Sequence, residues 1–281
     1  MAANHDANIT PALSQWLAEQ RAAGFGVEQI LQAMLQAGWS EAVTRRVLGL
    51  AAVDTSVPAV SVPVPVPWPD GAGERLRLQA GDRQVLATVR VDSPPLLVLQ
   101  DLLSADECRA LIEAARPRMA RSLTVDVKTG GEELHQDRTS DGMFFARGES
   151  ELISRIESRV AQLLGWPVEN GEGLQVLRYG PGAEYKPHYD YFDPAEPGTP
   201  AILQRGGQRV ATLVMYLNEP EAGGATVFPD IGLQVVPQQG SAVFFSYAQA
   251  HPDSRTLHGG EPVLAGEKWI ATKWLREREF N

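Results

Sequence analysis

The chain has 281 residues, 43% of them hydrophobic and 21% charged, with 25 basic and 35 acidic side chains and a formal net charge of −10. These figures describe a folded domain of ordinary size plus a small appendage, not a disordered chain. The acidic balance excludes generic binding to nucleic acid or to an anionic membrane, though not a local basic pocket.

The opening "MAANHDANIT" lacks the basic start and apolar run of a secretory signal. No apolar stretch is long enough to span a bilayer. Cys108 is the only cysteine, so no internal disulfide forms. A soluble, cytoplasmic protein is the expectation, with no membrane or nucleic-acid partner. Thr10-Pro11 can cap a helix carrying Trp16, Leu17 and Gln20, which Gly24 and Gly26 break. Val27, Ile30, Leu31, Met34 and Leu35 recur at helical spacing up to Gly38, and Ser40 can cap a third helix with Val43, Val47 and Leu48. Residues 1–52 therefore read as three short amphipathic helices, a module suited to binding a partner protein. By length and pattern it resembles ubiquitin-associated and similar three-helix modules.

Over residues 53–72 valine and proline alternate in "VPAVSVPVPVPWPD", an extended and semi-rigid spacer. Residues 73–281 form the second domain. "ERLRLQA" and "QVLATVRVD" alternate like strands joined at Gly81-Asp82. "PPLLVLQDLLSADECRALIEAARPRM" reads as a strand and then a helix capped reciprocally by Ser104 and Glu107. A further helix covers residues 149–164, and Cys108 is a small core residue of the earlier one. After Gly173 short strands and turns run to the end, and "GGATVFPD" marks a tight turn. The class is mainly β with flanking helices, a barrel or two-sheet sandwich.

In "YKPHYDYF" His188 and Asp190 stand two apart, so on a strand they project from one face and can grip one metal. An HxD pattern is common by chance and needs a third ligand. His5 lies in a tail and His135 in a polar loop. His258, before a final strand pair, can return beside residue 188, although Gly259-Gly260 also suit a plain turn histidine. His251 in "QAHPDSR" is the rival, in what reads as a solvated loop. Two histidines and one carboxylate leave positions open, as in non-haem Fe(II) oxygenases. Lys268, on the apolar strand "EKWIATKW", is costly to bury unless its ammonium meets an anion such as the far carboxylate of a 2-oxo acid. Lys273 reads as a surface lysine. Tyr185, Tyr189 and Tyr191 read as sheet-packing or pocket-rim residues. No GxSxG elbow supports a hydrolase.

Residues 95–276 resemble the catalytic domain of prolyl 4-hydroxylases, within the Fe(II)- and 2-oxoglutarate-dependent dioxygenases. The resemblance is carried by "LLVLQDLLSADECRALIEAARPRMARS", "DRTSDGMFF", "EGLQVLRYGPGAEYKPHYDYF", "RVATLVMYLNEPEAGGATVFPDIGLQVVPQQGSAVFF" and "DSRTLHGGEPVLAGEKWIATKWLRER". It implies a double-stranded β-helix (jelly-roll) core with helices on one side. It assigns His188, Asp190 and His258 to iron and Lys268 to the distal carboxylate of 2-oxoglutarate. It places Tyr179 and Thr212 at the co-substrate pocket, and Arg138, Ser140, Glu172 and Trp274 at the peptide. The implied reaction hydroxylates a prolyl residue of a peptide or protein, releasing succinate and carbon dioxide, with ascorbate as a candidate reductant. Residues 192–208 would act as a lid. Glu261, where many relatives carry cysteine, and Asp193-Pro194 depart from the pattern and bear on the substrate. The competing readings are a dioxygenase acting on another residue or a free amino acid, a cupin-like metalloenzyme without 2-oxoglutarate, and an inactive scaffold that works through its helical module.

Overall fold

The computed structural model describes residues 16–17, 20–21, 25–36, 44, 47–48, 65–122, 124–125, 132–133 and 139–281. The chain divides into two compact units, Met1–Val62 and Pro63–Asn281. In the first, α1 (Val27–Gln36) presents the buried Ile30, Leu31 and Met34, which cluster with Leu17 and Leu48. Residues 16, 17, 20, 21, 44, 47 and 48 are also helical. The rest of the first and third expected helices, with their caps and Val43, lies outside the described residues, as do His5 and residues 53–64 of the expected spacer.

In the second unit nine strands form one antiparallel sheet. They are β1 (Arg77–Ala80), β2 (Arg83–Val91), β3 (Leu96–Gln100), β4 (Ala120–Arg121), β5 (Asp141–Phe145), β6 (Leu174–Tyr179), β8 (Arg209–Tyr216), β11 (Ala242–Ser246) and β13 (Lys268–Arg276). Their spatial order is β1-β2-β3-β11-β8-β13-β6-β5-β4. A second sheet contains β7 (Tyr185–His188), β9 (Thr226–Phe228), β10 (Leu233–Val235) and β12 (His258–Gly260), in the order β10-β9-β12-β7. The β1–β2 turn falls at Gly81-Asp82 as read from the sequence, with Ala80 opposite Arg83.

Strand alternation explains why the central strands read as unbroken apolar runs: both of their faces are covered. On β8, Leu213 and Met215 face a rear cluster, while Val214 and Tyr216 face the second sheet. On β11, Phe244 goes to the rear and Val243 and Phe245 to the front. The front cluster is completed by Phe228 and Val235 of the second sheet, so the two sheets enclose a jelly-roll core. Two helices, α2 (Ala105–Ala115) and α3 (Glu151–Leu164), cover the rear through Cys108, Leu111, Ile153, Ile156, Val160 and Leu163.

The expected reciprocal cap is present on α2: the Glu107 amide donates to Ser104 Oγ, and the Ser104 amide donates to the Glu107 carboxylate. Arg159, only 1% exposed, ties α3 to α2 and to the first turn by donating to Glu107 and Asp82. Lys273 is not a surface lysine. Its position on β13 faces the rear, where it is buried and its Nζ lies 2.6 Å from Glu157 Oε1. Among the described residues no helix is long and apolar enough to cross a membrane.

Candidate active site

β7 pairs antiparallel with β12, and the register sets His188 directly opposite His258. Each ring is fixed from behind. His188 Nδ1 lies 2.9 Å from the Lys186 carbonyl oxygen, and His258 Nδ1 lies 2.9 Å from that of Thr256. A carbonyl only accepts, so each Nδ1 carries the hydrogen and each Nε2 keeps its lone pair. Both Nε2 atoms face Asp190, at 3.6 Å from Oδ1 for His188 and 3.5 Å from Oδ2 for His258. Among the described residues these three form a cluster whose ligand atoms all lie within 4.8 Å of one another.

Asp190 and His258 are buried, and His188 is partly open. Burial alone raises the Asp190 carboxyl. When the two imidazoles are protonated, the charges of His258, His188 and Arg209, with the Thr212 hydrogen bond, outweigh burial and hold it at about 2. An ionised carboxylate flanked by two imidazole lone pairs on one open side suits a divalent cation such as Fe(II). His251 is exposed and accepts from the Asp253 amide at 3.2 Å, away from this cluster.

Thr212, expected at the co-substrate pocket, is engaged with a candidate metal ligand. Its hydroxyl donates to Asp190 Oδ2 at 2.7 Å. Its proton is thereby used, so Tyr247, 3.0 Å away, must be the donor in their mutual bond. The hydroxyl thus orients the carboxylate from behind.

A pocket of about 440 Å³ is lined by both histidines, Asp190, Tyr179, Thr226, Lys268 and Trp274. Lys268, opposite Tyr179 in the β13–β6 register, is 3% exposed. Its Nζ lies 5.5 Å from the Tyr179 ring centroid and 5.9 Å from that of Tyr216. Among the described residues the Lys268 ammonium makes no hydrogen bond or ion pair. Burial pulls its ammonium down to about 8, against a weaker opposing effect of Glu261. A buried cation without a counter-charge on the wall of a pocket fits a carboxylate ligand.

Tyr185 lines the same pocket and stacks on His188 at 3.7 Å between ring centroids. Trp274 also lines it, and its buried Nε1 has no partner among the described residues. The Arg209 guanidinium covers the Trp274 ring at 3.9 Å. It is held there by two bonds to Glu172, of 2.6 and 2.9 Å.

The other expected peptide contacts are placed differently. Glu172 is buried and also binds Arg276 at 2.7 Å, so its carboxylate is committed within the fold. Ser140 is fully buried and donates to Ser122 at 3.0 Å. Motif similarity located these side chains but not their partners. Arg138 and His135 lie outside the described residues. The expected lid is tied at its base: the Phe192 amide donates to Gln208 Oε1 at 2.8 Å, and Gln208 Nε2 donates back to the Phe192 carbonyl at 2.7 Å. Within it, α4 (Thr199–Leu203) is held by the Thr199 hydroxyl donating to the Asp193 carbonyl at 2.6 Å. Arg209 was missed in the sequence, where the available signal was a cation opening the apolar run "RVATLVMY".

The family model of the 2OG-Fe(II) oxygenase superfamily matches residues 174–276. Prolyl 4-hydroxylase 1 of Arabidopsis thaliana is 45% identical over 203 residues, covering 66% of this chain and 70% of that protein. Prolyl 4-hydroxylase 5 of the same plant is 42% identical over 210 residues, covering 67% and 70%. The crystal structure of the viral collagen prolyl hydroxylase of Paramecium Bursaria Chlorella virus-1, a 2OG complex, is 34% identical with a TM-score of 0.50, covering 64% of this chain and 95% of that one.

Proposed function

From the premise that this chain belongs to the prolyl 4-hydroxylase family of Fe(II)- and 2-oxoglutarate-dependent dioxygenases, we propose that it hydroxylates a prolyl residue within a peptide or protein. His188, Asp190 and His258 would hold the iron, and Lys268 the distal carboxylate of 2-oxoglutarate. The observation that carries the reading is the unpaired, buried Lys268 ammonium in the same pocket as three converging metal donors.

Bound iron with 2-oxoglutarate supplies the oxidising chemistry, which couples decarboxylation to succinate with hydroxylation of an unactivated C–H bond. The chain's own residues bind, orient and exclude water. The two backbone carbonyls behind the histidines hold the Nδ1 hydrogens, so in the neutral rings Nε2 is the nitrogen with the lone pair. Thr212 fixes the Asp190 carboxylate so that one edge stays toward the histidines. Lys268 aligns the co-substrate along the pocket, and Leu177, Val214 and Ile270 keep its walls dry. Tyr185, stacked on His188, and Trp274 line the same pocket. The unpartnered Trp274 Nε1–H is a ready donor to a peptide carbonyl.

The test is incubation of the intact chain with Fe(II), 2-oxoglutarate and a proline-containing peptide, with and without ascorbate. Succinate release matched by one added oxygen on proline is the expected result. Succinate formation without oxygen on proline, or no turnover at all, overturns the prolyl assignment.

A further inference from the structure

Thr212 accepts a hydrogen bond as well as donating one. Tyr247 follows directly on β11, and its hydroxyl lies 3.0 Å from Thr212 Oγ1. Because the Thr212 proton goes to Asp190 Oδ2 at 2.7 Å, the phenol proton goes to Thr212. The two hydroxyls and the carboxylate thus form one chain with a single direction, from Tyr247 through Thr212 to Asp190.

The phenol is fixed from several sides. The Tyr247 amide donates to the Val210 carbonyl at 2.9 Å. Its ring centroid lies 6.1 Å from that of Phe245 and, edge-on, 6.3 Å from that of Tyr191. The residue is 3% exposed and belongs to the front cluster. A phenylalanine would fill the same space, as Phe245 does its own. The additional oxygen is costly to desolvate unless it is bonded. Among the described residues Thr212 is its one hydrogen-bond partner. Burial and the nearby Asp190 charge push the phenol well above its usual 10, so it stays a donor.

What the phenol adds follows from the freedom of a threonine hydroxyl, whose proton rotates to suit its surroundings. Donation from Tyr247 fills a Thr212 lone pair and removes the reversed arrangement, in which Thr212 would donate to the phenol and turn a lone pair toward Asp190. The Thr212 proton is left with the carboxylate as its target. In a water-excluded setting, bonds in series also polarise and strengthen one another. Tyr247 is not among the residues that line the catalytic pocket, so its influence falls on the carboxylate and not on what the pocket holds.

We propose that Tyr247 is a positioning residue of the metal site: its hydroxyl orients that of Thr212 and, through it, holds the Asp190 carboxylate ready for the cation. The proposal rests on the reading of His188, Asp190 and His258 as metal ligands. It extends the carboxylate's support from one side chain to an ordered pair, so that the site is formed before metal arrives.

The experiment is an anaerobic calorimetric titration of Fe(II) into the intact chain as wild type, Tyr247→Phe, Thr212→Val and the double variant, with metal-free melts of each. Tyr247→Phe keeps the ring and should weaken Fe(II) binding about fivefold. The double variant should bind Fe(II) as Thr212→Val does, because the phenol acts only through the threonine. In the melts, Tyr247→Phe should lower the melting temperature of the wild type and raise that of Thr212→Val, in which the phenol has lost its acceptor. At saturating Fe(II), KM for 2-oxoglutarate should not change. Wild-type iron affinity in Tyr247→Phe, or an equal loss from it with and without Thr212, would overturn the proposal and leave the metal site standing. No iron binding by the wild type would overturn the metal reading itself, and this proposal with it.

Discussion

The two faces of β13 carry the same kind of residue and treat it in opposite ways. Lys268 and Lys273 are 3% and 2% exposed, and their odd spacing sends them to opposite sides of the strand. On the rear, Lys273 is matched by Glu157 and also donates to the Glu172 carbonyl, so its charge is an internal part of the fold. On the front, the Lys268 ammonium lies near two tyrosine rings and has no ion-pair partner among the described residues. A buried charge that is paired speaks of architecture, and one left bare at a pocket speaks of a ligand. Trp274, on the front with an unpartnered Nε1, repeats the lesson.

The comparison breaks most visibly in the two lysine variants. Lys268→Met should lower 2-oxoglutarate-dependent succinate production roughly 10³-fold, since a buried ion pair with the co-substrate is lost, while the protein stays folded. Lys273→Met should do the reverse. It strands Glu157 in the interior and should cost about 3–4 kcal/mol in denaturant unfolding, with KM for 2-oxoglutarate unchanged in the folded fraction. If both variants lost stability and neither lost co-substrate affinity, the distinction between the faces would be wrong.

Titration sharpens it. Burial places Lys268 at about 8, below the ordinary 10.5 of the unfolded chain. Below pH 8 both states carry the charge, and the folded state bears its full burial cost. Between about 8 and 10.5 the unfolded chain holds the extra proton, so this contribution to stability rises with pH. Without co-substrate, Lys268→Met should therefore be more stable than wild type by on the order of 3 kcal/mol below pH 8. That gap should close as the pH approaches 10.5, as thermal melts across the range will read. A smaller effect is expected at Thr212→Val, which removes the hydroxyl behind Asp190. Fe(II) affinity should fall about 10- to 100-fold, measured by equilibrium titration, with 2-oxoglutarate affinity of the iron-loaded protein little changed.

Local physics was legible in the sequence, and long-range pairing was not. The Ser104–Glu107 cap and the Gly81-Asp82 turn are settled by neighbours within a few residues, and both are found where the sequence places them. His188 and Asp190 announce a shared face through strand alternation. That His258 comes to lie opposite His188 depends on a register between strands 70 residues apart, for which residue spacing alone left His251 in play. Lys273 was misplaced because its partner Glu157 lies 116 positions away on a helix. The Thr212 contact with Asp190 was not legible because a hydroxyl in an apolar strand carries no sign of which acceptor it will find. Glu172, expected at the peptide, is absorbed by Arg209 and Arg276, of which the first passed unnoticed in the sequence.

The most direct measurement is an anaerobic calorimetric titration of Fe(II), followed by 2-oxoglutarate, into wild type, Asp190→Ala and Lys268→Met. Wild type should bind one of each, Asp190→Ala should lose the iron, and Lys268→Met should keep the iron while losing the 2-oxo acid. Iron binding by Asp190→Ala, or 2-oxoglutarate binding by Lys268→Met, at wild-type affinity would contradict the account.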